Sequence, residues 1–400
     1  LGPFAGLDAP LTATISIGLD REVGINRFEG DAVIGRGNAR SDAGNFRLDG
    51  GRLHGRYDIA SDELIIDQLS LAGDRTSVGG DIRMRNVSAI MRARPNEAAS
   101  FTVALPSLRL DVPGTFSEPI ALNNVQIQGA ITTASREVRF SRIHARSGEG
   151  TLDATGRIYW AEVGERVRPG IELNGGIQGA IDARTVVQLW PIGLAEGARS
   201  FLERSLVAGR VSDAVVHIDA RPADFAAEAM RDEAMDIRFN VTGGEMRFIS
   251  TMSPVVNARG SAVVRGNRFD MTIPEARINN MAITNGRVEL PRFKPKGAMA
   301  TISARVDGDA RNILEVLAQE PLNLDERLPV DPASASGRGT VNIRIQRPML
   351  TEVPFEDWRF TIDGSIRDFA GNMTTRRMAL SQGQLTVRGD QDAIVVSGPV

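Results

Sequence analysis

The feature that most constrains this chain is an alternation of apolar and polar residues with a period of two. It is clearest at 237–241, 302–306, 341–345 and 358–362, where Ile, Val, Ala, Phe or Trp alternates with Arg, Asn, Ser or Thr. Successive side chains of a β-strand point to opposite faces of the sheet, so each stretch has one apolar face and one polar face. This pattern predicts a mainly β chain built on an antiparallel sheet that is wetted on one side.

Short segments rich in Gly, Asn and Asp interrupt the alternation. Examples are Asp49-Gly50-Gly51, Gly79-Gly80-Asp81, Thr242-Gly243-Gly244 and Asn285-Gly286. Such residues adopt the positive φ angles that tight hairpin turns require, so we interpret these segments as hairpin turns. The chain is then expected to form a meander of roughly 24 strands, mostly of about five to seven residues.

One segment follows a helical period instead. An amphipathic helix is predicted over 194–208, with Pro191 before it and Gly209 after it as a C-terminal cap. Its apolar positions are Leu194, Ala198, Phe201, Leu202 and Leu206. Shorter helices are predicted over 308–319 and within 182–189. Because the main helix divides the chain roughly in half, two segments are expected, 1–183 and 184–400.

The residues that usually carry chemistry are sparse or wrongly spaced. The chain has no cysteine, and His54, His144 and His217 are isolated from one another, without metal-ligand spacing. Neither a phosphate-binding loop nor a G-x-S-x-G nucleophile motif is present. The net charge of −3 gives no basic surface for nucleic acid. The sequence therefore predicts a protein that is not an enzyme, with no cofactor, no metal site and no nucleic-acid partner.

An amphipathic sheet must cover its apolar face by packing on a second sheet, closing on itself or curling into a trough. We favour a long, twisted sheet curled into an apolar groove, because aliphatic, non-directional contacts would let a lipid slide along it. The helix residues Leu194, Phe201, Leu202 and Leu206 are expected to lie in or across the mouth of this groove. The alternative is a connecting helix packed on one end of the sheet. The predicted groove-lining residues are Val103, Leu105, Ile127, Ile237, Phe239, Val241, Ile302, Val306, Val341, Ile343, Ile345, Phe360 and Ile362.

The segment around the predicted helix resembles a known family. The stretch from Leu189 to Leu194, then 198–206, then Ala208-Gly209-Arg210-Val211 is similar to the helix-plus-strand segment of YhdP-like members of the AsmA superfamily. Phe201 stands where that group usually has Trp, and Ala208 where it has its first Gly. The resemblance extends over about 180–370, whereas 1–180 follows only the general succession of strands and turns of AsmA proteins.

The resemblance implies a periplasmic protein, held at the inner membrane by a segment outside this chain, with a taco-shaped β groove. It implies a role in moving phospholipid or another acyl lipid between the inner and outer membranes, which supports the integrity of the outer membrane. No catalytic residues can be carried over from the family. The main alternative is an envelope scaffold or adhesin that binds protein partners, and the third is a β-rich glycan hydrolase. The scarcity of aromatic residues, 5% of the chain, argues against the hydrolase.

Overall fold

A computed structural model describes residues 7–22, 24–41, 44–111, 116–190, 192, 196–320, 330–350, 353–374, 378–391 and 393–399. These residues form 22 strands and four α-helices. The strands are β1 (Leu7–Asp8), β2 (Leu11–Asp20), β3 (Gly24–Ile34), β4 (Gly37–Ser41), β5 (Gly44–Asp58), β6 (Glu63–Gly73), β7 (Ser77–Arg85), β8 (Ala99–Leu110), β9 (Ile120–Thr132), β10 (Glu137–Ser147), β11 (Gly150–Val163), β12 (Arg166–Asp182), β13 (Leu206–Ala220), β14 (Met235–Met246), β15 (Val255–Arg265), β16 (Arg268–Ile278), β17 (Met281–Leu290), β18 (Met299–Asp309), β19 (Ser336–Pro348), β20 (Arg359–Asn372), β21 (Ala379–Asp390) and β22 (Ile394–Ser397). The helices are α1 (Ser88–Arg92), α2 (Ala183–Gln188), α3 (Glu196–Ser205) and α4 (Ala310–Ala318).

The chain divides into two compact units. The first unit consists of Leu1–Ile181, Gln188–Gly193 and Asp213–Met235, and the second of Asp182–Val187, Leu194–Ser212 and Asp236–Val400. Compact units need not be independent domains. The division predicted at residue 184 therefore stays a prediction.

The first unit is an antiparallel ladder in chain order. From β5 to β12 each strand pairs with the next one along the chain. On its other edge β5 pairs with both β3 and β4, which in turn pair with β2 and β1. This short-range pairing follows from the hairpin connections.

The second unit repeats this arrangement. Strands β14 to β22 form one antiparallel ladder in chain order. Its core contains buried residues of α4, with Ile313 and Leu314 packed against the apolar side of the sheet. The prediction of a mainly β, antiparallel fold with few helices is confirmed.

The predicted strand lengths are wrong, and so are the predicted turns. Most strands from β2 to β21 contain about 10 to 15 residues, because the Gly-, Asn- and Asp-rich segments read as hairpin turns lie inside strands. Asn285-Gly286 lies within β17 and Thr242-Gly243-Gly244 within β14, in both cases at a break in register. Asn285 has a φ of +52° and Gly243 of +59°. A β-bulge needs the same left-handed conformation as a tight turn, so these residues mark bulges rather than strand ends.

The same correction applies to the two other predicted turns. Asp49-Gly50-Gly51 lies within β5, and Gly79-Gly80-Asp81 lies within β7, again at breaks in register. Hairpin connections are found instead at residues such as Gly148, Gly164 and Gly266, with φ angles of +58°, +61° and +50°.

The main helix is shorter than predicted. Helix α3 ends at Ser205, and Leu206 is the first residue of β13, so Leu206 is not a helix residue. The chain passes directly from helix to strand because Val207 to Val211 continue into a paired strand, which overrides the weak helical period at this end. Leu194 lies outside the described residues. No described helix is long and apolar enough to cross a membrane.

Candidate functional site

The strongest candidate site is the apolar face of the sheet in the second unit. Inter-strand pairing aligns one apolar residue from each of seven strands, β14 to β20, in a continuous row. The row consists of Phe239, Ala262, Met271, Val288, Ile302, Ile345 and Phe360. Side chains two residues apart on a strand share a face, which adds the other predicted residues of this unit. These are Ile237, Val241, Val306, Val341, Ile343 and Ile362.

Helix α4 covers one end of this apolar face. Val306, Val341 and Ile362 are buried and belong to the core beneath the helix. Ile313 of α4 packs directly over Gly339, where an added Cβ would overlap the Ile313 side chain. The absence of a side chain at Gly339 thus leaves room for the helix at this end.

Away from α4 the face is more open. The remaining predicted residues of this unit are half-buried rather than buried. They are Ile237, Phe239, Val241, Ile302, Ile343, Ile345 and Phe360. A set of large apolar side chains that share a face and keep part of their surface accessible can contact an apolar ligand.

Helix α3 lies at the opposite end of the same face. Its Ala198 packs with a cluster built on Leu290, Ala298 and Ala300. Phe201 of α3 lies 6.1 Å from Phe248, measured between ring centroids. Phe201 and Leu202 are both half-buried. Two of the predicted helix residues therefore lie in a helix that packs on the sheet, while their contact with lipid stays a prediction.

The first unit carries a second apolar face. Val103 pairs with Ile127, and Leu105 pairs with Val125 on the neighbouring strand. Leu105 is buried, whereas Val103 and Ile127 pack against its cluster and stay half-buried. The register thus places all three predicted residues of this unit on one face, and their role in lipid binding likewise stays a prediction.

The opposite, polar face of the first unit is covered by paired charges. Arg157 donates to Glu137 at 3.1 Å and also to Glu172. The hydrogen bond to Glu172 is the main cause that raises the pKa of Arg157, and it lowers the pKa of the Glu172 carboxyl. Arg139 pairs with Glu137 at 2.7 Å. These charges neutralise one another on the wetted side.

Each histidine has a polar neighbour on the sheet: His54 contacts Asp67, His144 contacts Asp153, and the third, His217, contacts the side-chain oxygen of an asparagine, Asn174. Within the described ranges no group of three or more His, Asp and Glu side chains is placed to hold a metal ion.

The predicted set omitted Ala262, Met271 and Val288 of the row across β14 to β20 and, on the same face, Arg347. Arg347 pairs with Ala300 and follows Ile345 by two positions, which places its side chain on the same face. It is 5% exposed. The signal was available, since extending the alternation of 341–345 by one step reaches residue 347. However, an arginine at that position looks like the end of an apolar run.

Comparison with known proteins gives one match. A family model described as YhdP protein matches residues 66–358. This match begins well before residue 180, where the motif-based resemblance begins. Neither the comparison with curated proteins nor the comparison with solved structures found a match.

Proposed function

Because the chain belongs to the YhdP family of bacterial envelope proteins, we propose that it is a non-catalytic lipid-transfer protein of the periplasm. Its apolar sheet faces hold the acyl chains of phospholipid on the way between the inner and outer membranes. This family is not a known enzyme family.

The observation that carries the proposal is the row of the second unit, in which every side chain except that of Ala262 is half-buried. Seven neighbouring strands each contribute an apolar residue to it, from Phe239 to Phe360. Six of the seven side chains keep part of their surface accessible. A row that stays partly accessible supports contact with a mobile apolar ligand.

The energetics favour such a surface for lipid. Each CH₂ group removed from water contributes about 0.8 kcal/mol, so a two-chain lipid with about 30 methylenes faces a barrier on the order of 20 kcal/mol in water. A continuous aliphatic surface lowers that barrier. Because its contacts are non-directional, the lipid is not fixed at one position.

The test compares two carboxylates on adjacent residues of β19. Ile343→Asp places a charge on the apolar face, and Asn342→Asp places the same charge on the exposed polar face. Both variants are purified, and the bound phospholipid is extracted and quantified by mass spectrometry. We expect Ile343→Asp to lose most of its bound lipid, because an unpaired carboxylate on an apolar surface is costly. Asn342→Asp should retain the wild-type amount.

Thermal unfolding of both variants serves as the folding control. A folded Ile343→Asp protein with a normal lipid content would contradict the proposal. Wild-type protein that carries no lipid and takes none up from vesicles would contradict it as well.

One observation favours a second candidate, an envelope scaffold that binds protein. Strand β2 pairs only with β3 among the described ladders, and its apolar side chains are open, with Ile15 75% and Leu19 76% exposed. An open strand edge with an apolar row can accept a strand from another chain. This function predicts that the purified protein captures a peptide or partner at β2 and contains no lipid.

A further inference from the structure

Arg347 is unusual because it is a charged residue on the apolar face of β19. Its register partner is Ala300, and Ile343 and Ile345 precede it on the same face. The residue exposes 5% of its surface. Burial of an arginine normally requires a carboxylate partner, because an isolated buried charge is costly.

No such partner is found among the described residues. The guanidinium Cζ lies 5.0 Å from the ring centroid of Phe201 and 5.4 Å from that of Trp358. Its Nη1 donates to the sulfur of Met349 at 3.6 Å, and its Nη2 donates to the backbone oxygen of Leu350 at 3.4 Å. Both are long contacts, the first of them to a weak acceptor.

Two buried donors remain unsatisfied at the same place. Neither Nε of Arg347 nor Nε1 of Trp358 has a hydrogen-bond partner. Aromatic rings cover the faces of the guanidinium, so only its edge, where the N–H groups point, is left for an acceptor. Burial, and then the nearby charge of Arg204, lower the pKa of Arg347.

We propose that Arg347, with Trp358 beside it, binds the phosphate of an anionic lipid headgroup whose acyl chains lie along the apolar face. A phosphate presents the acceptors that a guanidinium edge binds in a bidentate manner. This inference rests on the proposed lipid-transfer function and adds the class of lipid and the end of the face where its headgroup lies.

The dimensions of the face fit this orientation. Arg347 lies four positions after Ile343 and six positions after Val341, where the cover of α4 begins. Six residues of a strand span about 20 Å, which is enough for one acyl chain, since a bilayer core of about 30 Å holds two chain lengths. Because Phe201 stacks on Arg347 and little of the residue is exposed, α3 must shift for the headgroup to enter.

The experiment compares Arg347→Met with Arg344→Met. The first variant removes the charge but keeps an apolar side chain of similar length, and the second removes an exposed charge from the polar face of the same strand. The purified full chain is incubated with vesicles that contain equal amounts of phosphatidylglycerol and phosphatidylcholine. The amounts of the two lipids that remain bound are then quantified by mass spectrometry.

We expect the wild type and Arg344→Met to be enriched about tenfold in phosphatidylglycerol, a ratio that corresponds to about 1.4 kcal/mol. Arg347→Met should retain a similar total of lipid without enrichment, because its apolar face is intact. Enrichment that persists in Arg347→Met would overturn the inference, and so would a wild type that binds both lipids equally. Absence of any bound lipid in the wild type is a different result, since it also contradicts the proposed function.

Two further measurements keep the result interpretable. Arg347→Lys keeps the charge but not the bidentate geometry, so it should retain part of the enrichment and provides a second variant if Arg347→Met does not fold. Inorganic phosphate without lipid tests a free anion as the source. If phosphate raises the melting temperature of the wild type but not of Arg347→Met, and no headgroup preference exists, the site binds free phosphate and the lipid assignment is wrong.

Discussion

At the scale of single residues, His54 on a polar face and Arg347 on an apolar face have different kinds of neighbours. On the polar face of the first unit, His54 lies between two carboxylates, with Nδ1 2.6 Å from Asp67 and Nε2 3.2 Å from Glu29. On the apolar face of the second unit, Arg347 has aromatic rings in place of carboxylates. His54 therefore has carboxylate partners within the protein, whereas Arg347 has none among the described residues.

The environment of His54 predicts a pH-dependent contribution to stability. The hydrogen bond to Asp67, followed by that to Glu29, raises the pKa of His54. The stabilisation is therefore complete below the unfolded-state pKa of about 6.5 and is lost as the pH rises through the higher folded-state pKa. We expect His54→Gln to destabilise the protein at about pH 5.5 and to have a smaller effect at about pH 8.5.

Chemical unfolding of the wild type and His54→Gln across this range measures the difference. Asp67→Asn is the control, because it removes the main cause of the raised pKa and should weaken the pH dependence. A difference between wild type and His54→Gln that stays constant with pH would contradict this account.

At the scale of elements, the alternation predicted the strands and their apolar faces, but it could not predict where the strands end. Asn285-Gly286 has the composition of a hairpin turn, yet β17 continues through it as a bulge. Both structures use a left-handed residue, so composition alone does not distinguish them. The distinction depends on pairing with the neighbouring strand, which is a tertiary interaction. The end of α3 at Ser205 was missed for a similar reason.

Glycine also has a packing role within the strands. On β9, Gly129 leaves space for the ring of Phe101, whose Cζ would lie 2.7 Å from an added Cβ. Phe101 in turn contacts Phe140 edge-to-face, with ring centroids 6.1 Å apart. An aromatic pair from β8 and β10 thus spans the glycine of the strand between them.

This packing predicts that Gly129→Ala destabilises the first unit by about 1–3 kcal/mol, the usual cost of overpacking. The added methyl would overlap the backbone oxygen of Arg139 as well as Phe101. Gly30→Ala is the matched control, because its Cβ would meet no atom closer than the oxygen of Thr14 at 3.9 Å. Urea unfolding of both variants measures the effect. Equal stability of the two would show that the glycine is not required for packing.

At the scale of the whole molecule, the most exposed apolar row among the described residues is on β2. Leu11, Ile15, Ile17 and Leu19 share one face and are all exposed. Exposed apolar rows often associate with another surface, and β2 contains no Lys, Arg or Pro.

We therefore predict that the protein self-associates through β2. The double variant Ile15→Lys with Leu19→Lys should raise the dissociation constant about tenfold or more, because each buried Ile or Leu contributes about 1.5–3 kcal/mol. Thr14→Lys with Ser16→Lys adds the same charge to the opposite face and should have little effect. Light scattering over a range of concentrations measures both. Equal effects of the two variants would assign the association to net charge instead of the apolar row.

The pairing of each strand with its sequence neighbours has a consequence for how such proteins evolve. A duplication or deletion that adds or removes one hairpin between β5 and β12 keeps the remaining strands paired in chain order. Each hairpin changes the width of the ladder by about 10 Å. Evolution can therefore lengthen or shorten the apolar surface one hairpin at a time, without altering the residues that already line it.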